Sequence, residues 1–152
     1  MGADLYIKSV TDKAHEENQK AFDHAVQNRD NVQTEAEKGQ LQKEVDKCWD
    51  AMYPEGYYFR DSYNESNLLW QMGLSWWSNT FIKHHYMSAA NAKKFKQIIL
   101  NKPITEVKFG HPEWVKDPDD PEWLTSFQTR REELIKFLDN AINLKERIYC
   151  SV

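Results

Sequence analysis

The sequence is poor in the residues that build several specialised classes of protein. It has 5 glycines and 5 prolines among 152 residues, which excludes collagen-like and low-complexity chains and leaves no glycine-rich phosphate loop. Its two cysteines, Cys48 and Cys150, are far apart and lack CxxC spacing, so it is not a disulfide scaffold. No apolar run approaches the ~18 residues of a membrane-spanning helix. We therefore expect a globular protein with no membrane partner.

The first residues, Met1–Tyr6, contain neither the basic stretch nor the apolar stretch of a secretory signal peptide. In a chain without an export signal, Cys48 and Cys150 are expected to be free thiols buried in the core. Together these features predict a cytoplasmic location.

Charge is distributed unevenly along the chain. The net charge is −4, from 20 basic and 24 acidic side chains. Residues 1–52 carry 7 basic and 11 acidic groups, whereas residues 53–110 carry 7 and 4 and are the one net-basic third. A nucleic-acid-binding domain normally has a larger basic excess, so we do not expect nucleic acid as a partner.

Apolar periodicity predicts a chain that is mainly helical. The expected helices cover residues 12–29, 34–52, 65–86, 89–100 and 121–142. Thr11 or Asp12 would cap the first helix, and a capping box of Thr34 and Glu37 opens the second, so the pair suggests an antiparallel hairpin. The third helix is apolar on all sides and is expected at the centre. Ser88 and Asp120 are expected to cap the last two.

Short strands are expected near both ends of the chain, at Asp4–Val10 and Arg147–Val152, because these segments combine β-branched or aromatic residues with alternation. We predict one domain spanning residues 1–152. Its fold class is mainly α, a single-domain helical bundle with a minor short β element that pairs the N- and C-terminal segments. Thin apolar stripes on the surface helices are compatible with a homo-oligomer.

The chain is rich in large aromatic side chains, with 6 Trp, 7 Tyr and 7 Phe, and half of these rings lie within residues 53–86. A ring stacked on a base contributes ~1–3 kcal/mol to binding, and rings also dominate many cores. This segment therefore marks either a ligand pocket or the centre of the core.

Polar groups of fixed geometry lie among these rings. Arg60 offers a planar fork for a phosphate or carboxylate, and Asp61 could orient Arg60 or accept from a sugar hydroxyl. The candidate ligand-binding residues are Arg60, Asp61, Tyr63, Asn64, Asn67, Trp70, Trp76 and Trp77. In the alternative interpretation the tryptophans are plain core, Arg60 and Asp61 form a structural ion pair, and Asn64 caps a helix.

Two stretches of sequence carry a resemblance. The opening MGADLY and the segment Tyr58–Trp77, which contains YFRDSYN and GLSWW, resemble a family of small uncharacterised bacterial and phage-type proteins. The resemblance covers a minor part of the chain. It implies no activity and transfers no catalytic residue.

Signals for catalysis and for metal binding are weak. As helix neighbours, His84 and His85 would point to different faces, so a metal site would need His111 to join one of them, with Asp61 or Glu65. The segment Gly73–Trp77 lacks the second glycine of a GxSxG nucleophile turn. We assign no catalytic residue, no metal ligand and no cofactor.

Three functions remain open at this point. The preferred hypothesis is a cytosolic, non-enzymatic binding protein that holds a small, flat, anionic ligand, such as a nucleotide-like metabolite, in an aromatic and arginine pocket. The alternative is a protein-interaction module, including a phage-type inhibitor of a host protein, that docks a basic partner through its acidic helical hairpin. A third is a hydrolase or metal enzyme built on His84, His85, His111 and Asp61.

Overall fold

The computed structural model of the chain describes residues 2–62 and 67–152. In chain order the elements are β1 (Gly2–Tyr6), α1 (Lys8–Asn31), α2 (Glu35–Met52), β2 (Tyr58–Ser62), α3 (Leu68–Gln71), α4 (Trp77–Phe81), β3 (Tyr86–Met87), α5 (Ala89–Leu100), a short 3-10 turn (Pro112–Trp114), α6 (Pro121–Leu144) and β4 (Ile148–Ser151). The fold is mainly α with a minor β element, as the sequence predicts. Within these residues no helix is long and apolar enough to cross a membrane.

The described strands form one sheet in the order β2-β1-β4-β3. β1 and β4 are antiparallel, with Leu5 opposite Cys150, and β3 is antiparallel to β4. This confirms the predicted pairing of the two terminal segments. Alternate residues of β1, Ala3 and Leu5, are buried, so one face of the sheet lies against the core.

The chain forms two compact units. One comprises Lys8–Tyr58 and contains α1 and α2. The other comprises the N-terminal strand segment up to Ile7 together with Phe59–Val152.

The first unit is the predicted antiparallel hairpin. The Arg29 guanidinium donates to the Gln42 side chain at 2.7 Å, and farther along the pair the Phe22 and Trp49 rings lie 5.8 Å apart. Thr34 is the N-cap of α2 as predicted, because its Oγ1 accepts the Glu37 N–H at 3.2 Å, which is one of the two hydrogen bonds of a capping box.

The start of α1 corrects the prediction for the N-terminal strand. β1 ends at Tyr6 and α1 begins at Lys8, so Thr11 is a buried residue inside the helix and not its cap. The run Ser9–Thr11 favours a strand by local propensity, but Thr11 and Ala14 are both buried at helical spacing. Burial outweighs the small propensity cost of β-branched residues in a helix.

The second unit has its core between α5, α6 and the inner face of the sheet. Phe95 of α5 and Phe137 of α6 are fully buried, and the Phe59 ring of β2 lies 6.5 Å from Phe137. Ser88 and Asp120 cap α5 and α6 as predicted, each accepting a backbone N–H with its side-chain oxygen.

The predicted central helix over residues 65–86 is wrong, because the described part of that segment breaks into α3, α4 and β3. α3 ends at Gln71, Gly73 follows with φ +70°, and the Leu74 N–H donates back to the Leu69 carbonyl at 2.8 Å. This is a glycine helix stop of the Schellman type. A second break follows α4, where His84 and His85 adopt positive φ. Apolar side chains on all sides of a segment indicate burial, not necessarily helix.

The two thiols differ in burial, which corrects the prediction that both lie in the core. Cys150 on β4 is fully buried, whereas Cys48 on α2 is only half-buried. Both are free. Burial raises the pKa of Cys150 to about 12.

Candidate functional site

Asp61 is a buried carboxylate that binds the first turn of α3. It is 2% exposed, and its oxygens accept hydrogen bonds from the N–H groups of Leu68 (2.9 Å) and Leu69 (3.1 Å). Asn67, the N-cap of the same helix, accepts from Leu69 (2.7 Å) and Trp70 (3.1 Å). These two predicted site residues therefore meet at α3, where they satisfy backbone donors that would otherwise lack partners.

Arg130 of α6 is a further partner of Asp61. Its guanidinium donates to Asp61 Oδ1 at 2.7 Å and to the Arg60 carbonyl at 3.2 Å. Burial raises the pKa of Asp61 above its ordinary 3.8, and the N–H groups of Leu69 and Leu68 and the Arg130 charge oppose that rise. The carboxylate is thus the centre of a polar link between β2, α3 and α6.

The predicted tryptophans have different surroundings. Trp77 is buried and stacks on Phe95, with ring centroids 5.4 Å apart and planes 6° from parallel. Trp70 and Trp76 are 37% and 41% exposed, and the Trp76 ring lies 5.9 Å from Phe81. Trp77 therefore belongs to the core, whereas Trp70 and Trp76 lie at the surface.

Arg60 and Asp61 lie on opposite faces of β2. The Arg60 side chain is 61% exposed, and its Nε lies 3.7 Å from the Asp4 carboxylate of β1. The Arg60–Asp61 ion pair of the alternative interpretation is therefore wrong, and two other pairs are present, Arg60 with Asp4 and Arg130 with Asp61.

The predicted residues thus have three kinds of surroundings in the structure. Two bind the first turn of α3 (Asp61 and Asn67), one is in the core (Trp77), and three are at the surface (Arg60, Trp70 and Trp76). Tyr63 and Asn64 lie outside the described residues.

A row of tyrosines crosses the outer face of the sheet. Tyr6 of β1 and Tyr86 of β3 both lie opposite Tyr149 of β4, with ring centroids 6.0 and 5.5 Å from the Tyr149 ring. Because successive residues of a strand point to opposite faces, Leu5 and Cys150 are buried while the three rings stay partly exposed. The row joins residues from both ends and the middle of the chain.

Basic side chains border this row. The Arg147 guanidinium carbon lies 3.7 Å from the centroid of the Tyr86 ring, a cation–π contact. The His85 ring lies 6.3 Å from the Tyr149 ring. Arg60 belongs to β2, the strand next to β1. We call this surface the tyrosine face and define it by Tyr6, Tyr86, Tyr149, Arg60, His85 and Arg147.

Gly2 allows β1 to lie close to β2 beside Arg60. A Cβ atom at this position would lie 2.6 Å from the Asp61 carbonyl oxygen and 3.2 Å from Arg60 Nε. The first distance is shorter than any normal contact, so the approach of the two strands requires glycine.

His85 reaches the tyrosine face from a strained turn. Lys83 and Tyr86 exchange backbone hydrogen bonds of 2.8 and 3.0 Å, and between them His84 and His85 have φ of 51° and 68°. Positive φ at both central residues is the requirement of a type I′ hairpin turn, for which Asn-Gly is preferred. The His85 carbonyl accepts the Cys150 N–H at 2.7 Å, which ties the turn to β4.

The histidines named in the metal hypothesis are held in separate structures. His84 and His85 form the turn, whereas the His111 ring stacks on Trp114 at 4.0 Å and lies 3.2 Å from Glu113. Across residues 2–62 and 67–152, no three His, Cys, Asp or Glu side chains are grouped so that they could hold a metal ion.

Sequence reasoning missed Tyr6, Tyr86, Tyr149 and Arg147 as a group. Strand pairing brings Tyr6 and Tyr149 together across 143 positions of sequence, and no local motif links the four residues. The predicted pairing of the two terminal strands brings Tyr6 and Tyr149 to the same sheet, but no sequence pattern indicated their register or placed β3 next to β4.

Comparisons with protein-family models, with curated proteins and with solved structures find no match to this chain. The candidate site therefore depends on its own geometry.

Proposed function

We propose that this chain is a non-enzymatic, cytosolic binding protein that holds a small, flat, anionic ligand of the nucleotide type on the tyrosine face. The observation that carries the proposal is the unbroken row Tyr6–Tyr149–Tyr86. Arg60 lies on β2 at one edge of the sheet, and Arg147 lies over the Tyr86 ring at the other edge. The ligand class is the one expected from sequence, but the surface differs, because Arg60 is the one member on this face among the six predicted residues that the structure describes.

The rings supply the contact for a flat group. A base stacked on an aromatic side chain gains ~1–3 kcal/mol whatever its identity, since every base has a π face. Tyr149 contacts Tyr6, Tyr86 and His85, so the central ring is braced on several sides. A braced ring loses little conformational entropy when a ligand binds.

The arginines supply the contact for the anion. A guanidinium can donate two parallel hydrogen bonds to a phosphate. Arg147 is exposed and stacked on Tyr86, so its planar group is already oriented beside the rings. Arg60 is mostly exposed, and its contact with Asp4 at 3.7 Å is longer than a hydrogen bond.

Charge favours a small ligand over a nucleic acid polymer. All of the chain outside Lys8–Tyr58 carries 13 basic and 13 acidic side chains, so this unit has no net charge. Binding of a long polyanion depends on many basic contacts that release counterions, whereas one phosphate needs only the local arginines.

Isothermal titration with AMP, GMP, CMP and UMP tests the proposal. We expect saturable binding with a Kd below about 1 mM for at least one of them. Adenosine, which lacks the phosphate, and inorganic phosphate, which lacks the ring, should each bind at least about tenfold more weakly. No saturable binding of any mononucleotide would overturn the proposal.

Two variants locate the site, each with a matched control elsewhere on the surface. Arg147→Gln and Tyr149→Leu should each weaken binding about tenfold or more. Lys93→Gln on α5 and Trp114→Ala, which removes a 76% exposed ring, should leave it unchanged. If Arg60→Ala and Arg147→Gln leave every measured affinity unaltered, the assignment of the anion contact is wrong.

A further inference from the structure

The hairpin unit carries a partly exposed apolar strip along one side. Phe22 and Val26 lie one turn apart on α1, and both line an open depression on that helix. Trp49 of α2, which is 43% exposed, lies 5.8 Å from the Phe22 ring. We call Phe22, Val26 and Trp49 the hairpin strip.

Carboxylates border the hairpin strip. Asp23 and Asp30 line the same depression as Phe22 and Val26. Asp46 lies three residues before Trp49 and is exposed on the same side of α2. The unit Lys8–Tyr58 carries 7 basic and 11 acidic side chains, a net charge of −4 that equals the charge of the whole chain.

We propose that the hairpin strip binds a basic amphipathic helix of a partner protein. Such a helix presents apolar residues at i, i+3 and i+4, which match a strip formed by two helices, and lysines or arginines beside them, which match the acidic border. Apolar contact at the centre supplies the affinity, and the charges supply orientation and the rate of encounter.

A second copy of the chain is a poorer occupant of the strip. It would bring its own carboxylates against those of the first copy, and like charges placed together across an interface weaken it. The proposal concerns a different unit from the tyrosine face, so the two can fail independently.

The probe is a fluorescein-labelled synthetic helix with leucine at the a and d positions of each heptad and lysine at the positions beside them, titrated with the full chain by fluorescence anisotropy. We expect a Kd of about 1–100 μM. The same peptide with every lysine replaced by glutamate should show no saturable binding. Raising the salt from about 50 to about 300 mM should weaken the lysine peptide several-fold, because exposed charges are screened.

Charge reversal locates the surface. Asp23→Lys with Asp46→Lys should weaken the lysine peptide about tenfold or more. The matched control is Glu17→Lys with Glu44→Lys, which makes the same change of charge on the same two helices. Glu17 is five residues from Phe22 and Glu44 five from Trp49, which places each about 140° around its helix from the hairpin strip. This variant should therefore change the affinity by no more than about threefold.

Trp49→Ser tests the apolar part, and circular dichroism of the full chain, measured alongside, checks that its helix content is unchanged. It should abolish most binding at any salt concentration. Equal losses in the two charge-reversal variants would indicate non-specific attraction and overturn the proposal. So would the absence of saturable binding, or a dimer in sedimentation that the Trp49 substitution dissolves.

Discussion

Arg130 of α6 donates a 2.7 Å hydrogen bond to the buried carboxylate of Asp61 on β2. The same carboxylate accepts the N–H groups of Leu68 and Leu69 at the start of α3. One side chain thereby joins a strand, a short helix and a long helix. A buried carboxylate is costly unless it is paired and hydrogen-bonded, and here three donors meet that requirement.

Replacing Arg130 by methionine should destabilise the fold in a pH-dependent way. The folded-state pKa of Asp61 is already raised by burial, and loss of the guanidinium raises it further. A raised carboxyl pKa gives stability that is full below the unfolded pKa and is lost as pH rises through the folded pKa. The substitution should therefore lower the free energy of unfolding only slightly at about pH 4 and by about 2–4 kcal/mol at about pH 7.

Urea denaturation of wild type and variant at the two pH values measures this difference. Arg131→Met, at the neighbouring position of α6, is the control, because Arg131 donates to the carbonyls of Ile99 and Leu100 and pairs with no carboxylate among residues 2–62 and 67–152. A pH-independent loss in Arg130→Met would show that packing of the arginine, rather than its charge, stabilises the link.

The two cysteines should react at very different rates. Cys48 is half-buried and Cys150 fully buried, and the thiolate is the reactive form. In the native protein one thiol per chain should therefore react rapidly with Ellman's reagent. The second should react only in denaturant. Cys48→Ser should remove the fast phase, and a fast phase that persists in this variant would contradict the burial of Cys150.

Alkaline pH should destabilise the protein through Cys150. Burial raises the pKa of this thiol from 9.0 to about 12, so the folded state keeps a proton that the unfolded chain releases. The resulting stability is full below pH 9.0 and declines as pH rises toward about 12. Cys150→Ala should reduce this decline in a thermal-unfolding series between about pH 8 and about pH 11.

Two glycine-to-alanine substitutions should have opposite effects. Gly2→Ala places a Cβ atom 2.6 Å from the Asp61 carbonyl oxygen and should destabilise by about 1–3 kcal/mol. Gly39 lies in α2 with nothing within 4 Å of the added atom, so Gly39→Ala should stabilise by about 0.5–1 kcal/mol through helix propensity. Differential scanning fluorimetry on both variants gives the signs, and a stable Gly2→Ala protein would show that β1 can shift.

Relief of the histidine turn should stabilise the fold. His84 and His85 have φ of 51° and 68°, which costs a non-glycine residue about 1 kcal/mol or more. The double substitution His84→Asn with His85→Gly places the preferred Asn-Gly pair in this turn. It should raise the free energy of unfolding by about 1–2 kcal/mol. The same variant should bind mononucleotides more weakly if the His85 ring supports Tyr149. Unchanged stability would show that other contacts of the turn compensate.

Much of the fold could be predicted because its signals are local. Thr34, Ser88 and Asp120 each cap the helix that follows them, and a cap depends on a residue and its next three neighbours. The segment around Trp77 failed for the opposite reason. Apolar residues on all sides identify burial, but the choice between one helix and several short elements depended on Gly73 and on the two histidines after α4.

The candidate site was only partly predictable. Arg60 and Asp61 were predicted to share one pocket, but Arg60 is exposed whereas Asp61 points into the core, since adjacent strand residues face opposite sides. The partners of these two residues, Asp4 and Arg130, lie 56 and 69 positions away in sequence. No local pattern links residues at such separations.

The sequence by itself determined the four long helices, where α2, α5 and α6 start, and that the terminal strands pair. The tertiary structure alone decided which rings are core and which face outward. Trp77 stacks on Phe95 inside, whereas Tyr6, Tyr149 and Tyr86 form one row outside. The physical reason is that capping and periodicity act within a few residues, while a binding face is assembled by strand register, which joins residues 6, 86 and 149 through hydrogen bonds between distant segments.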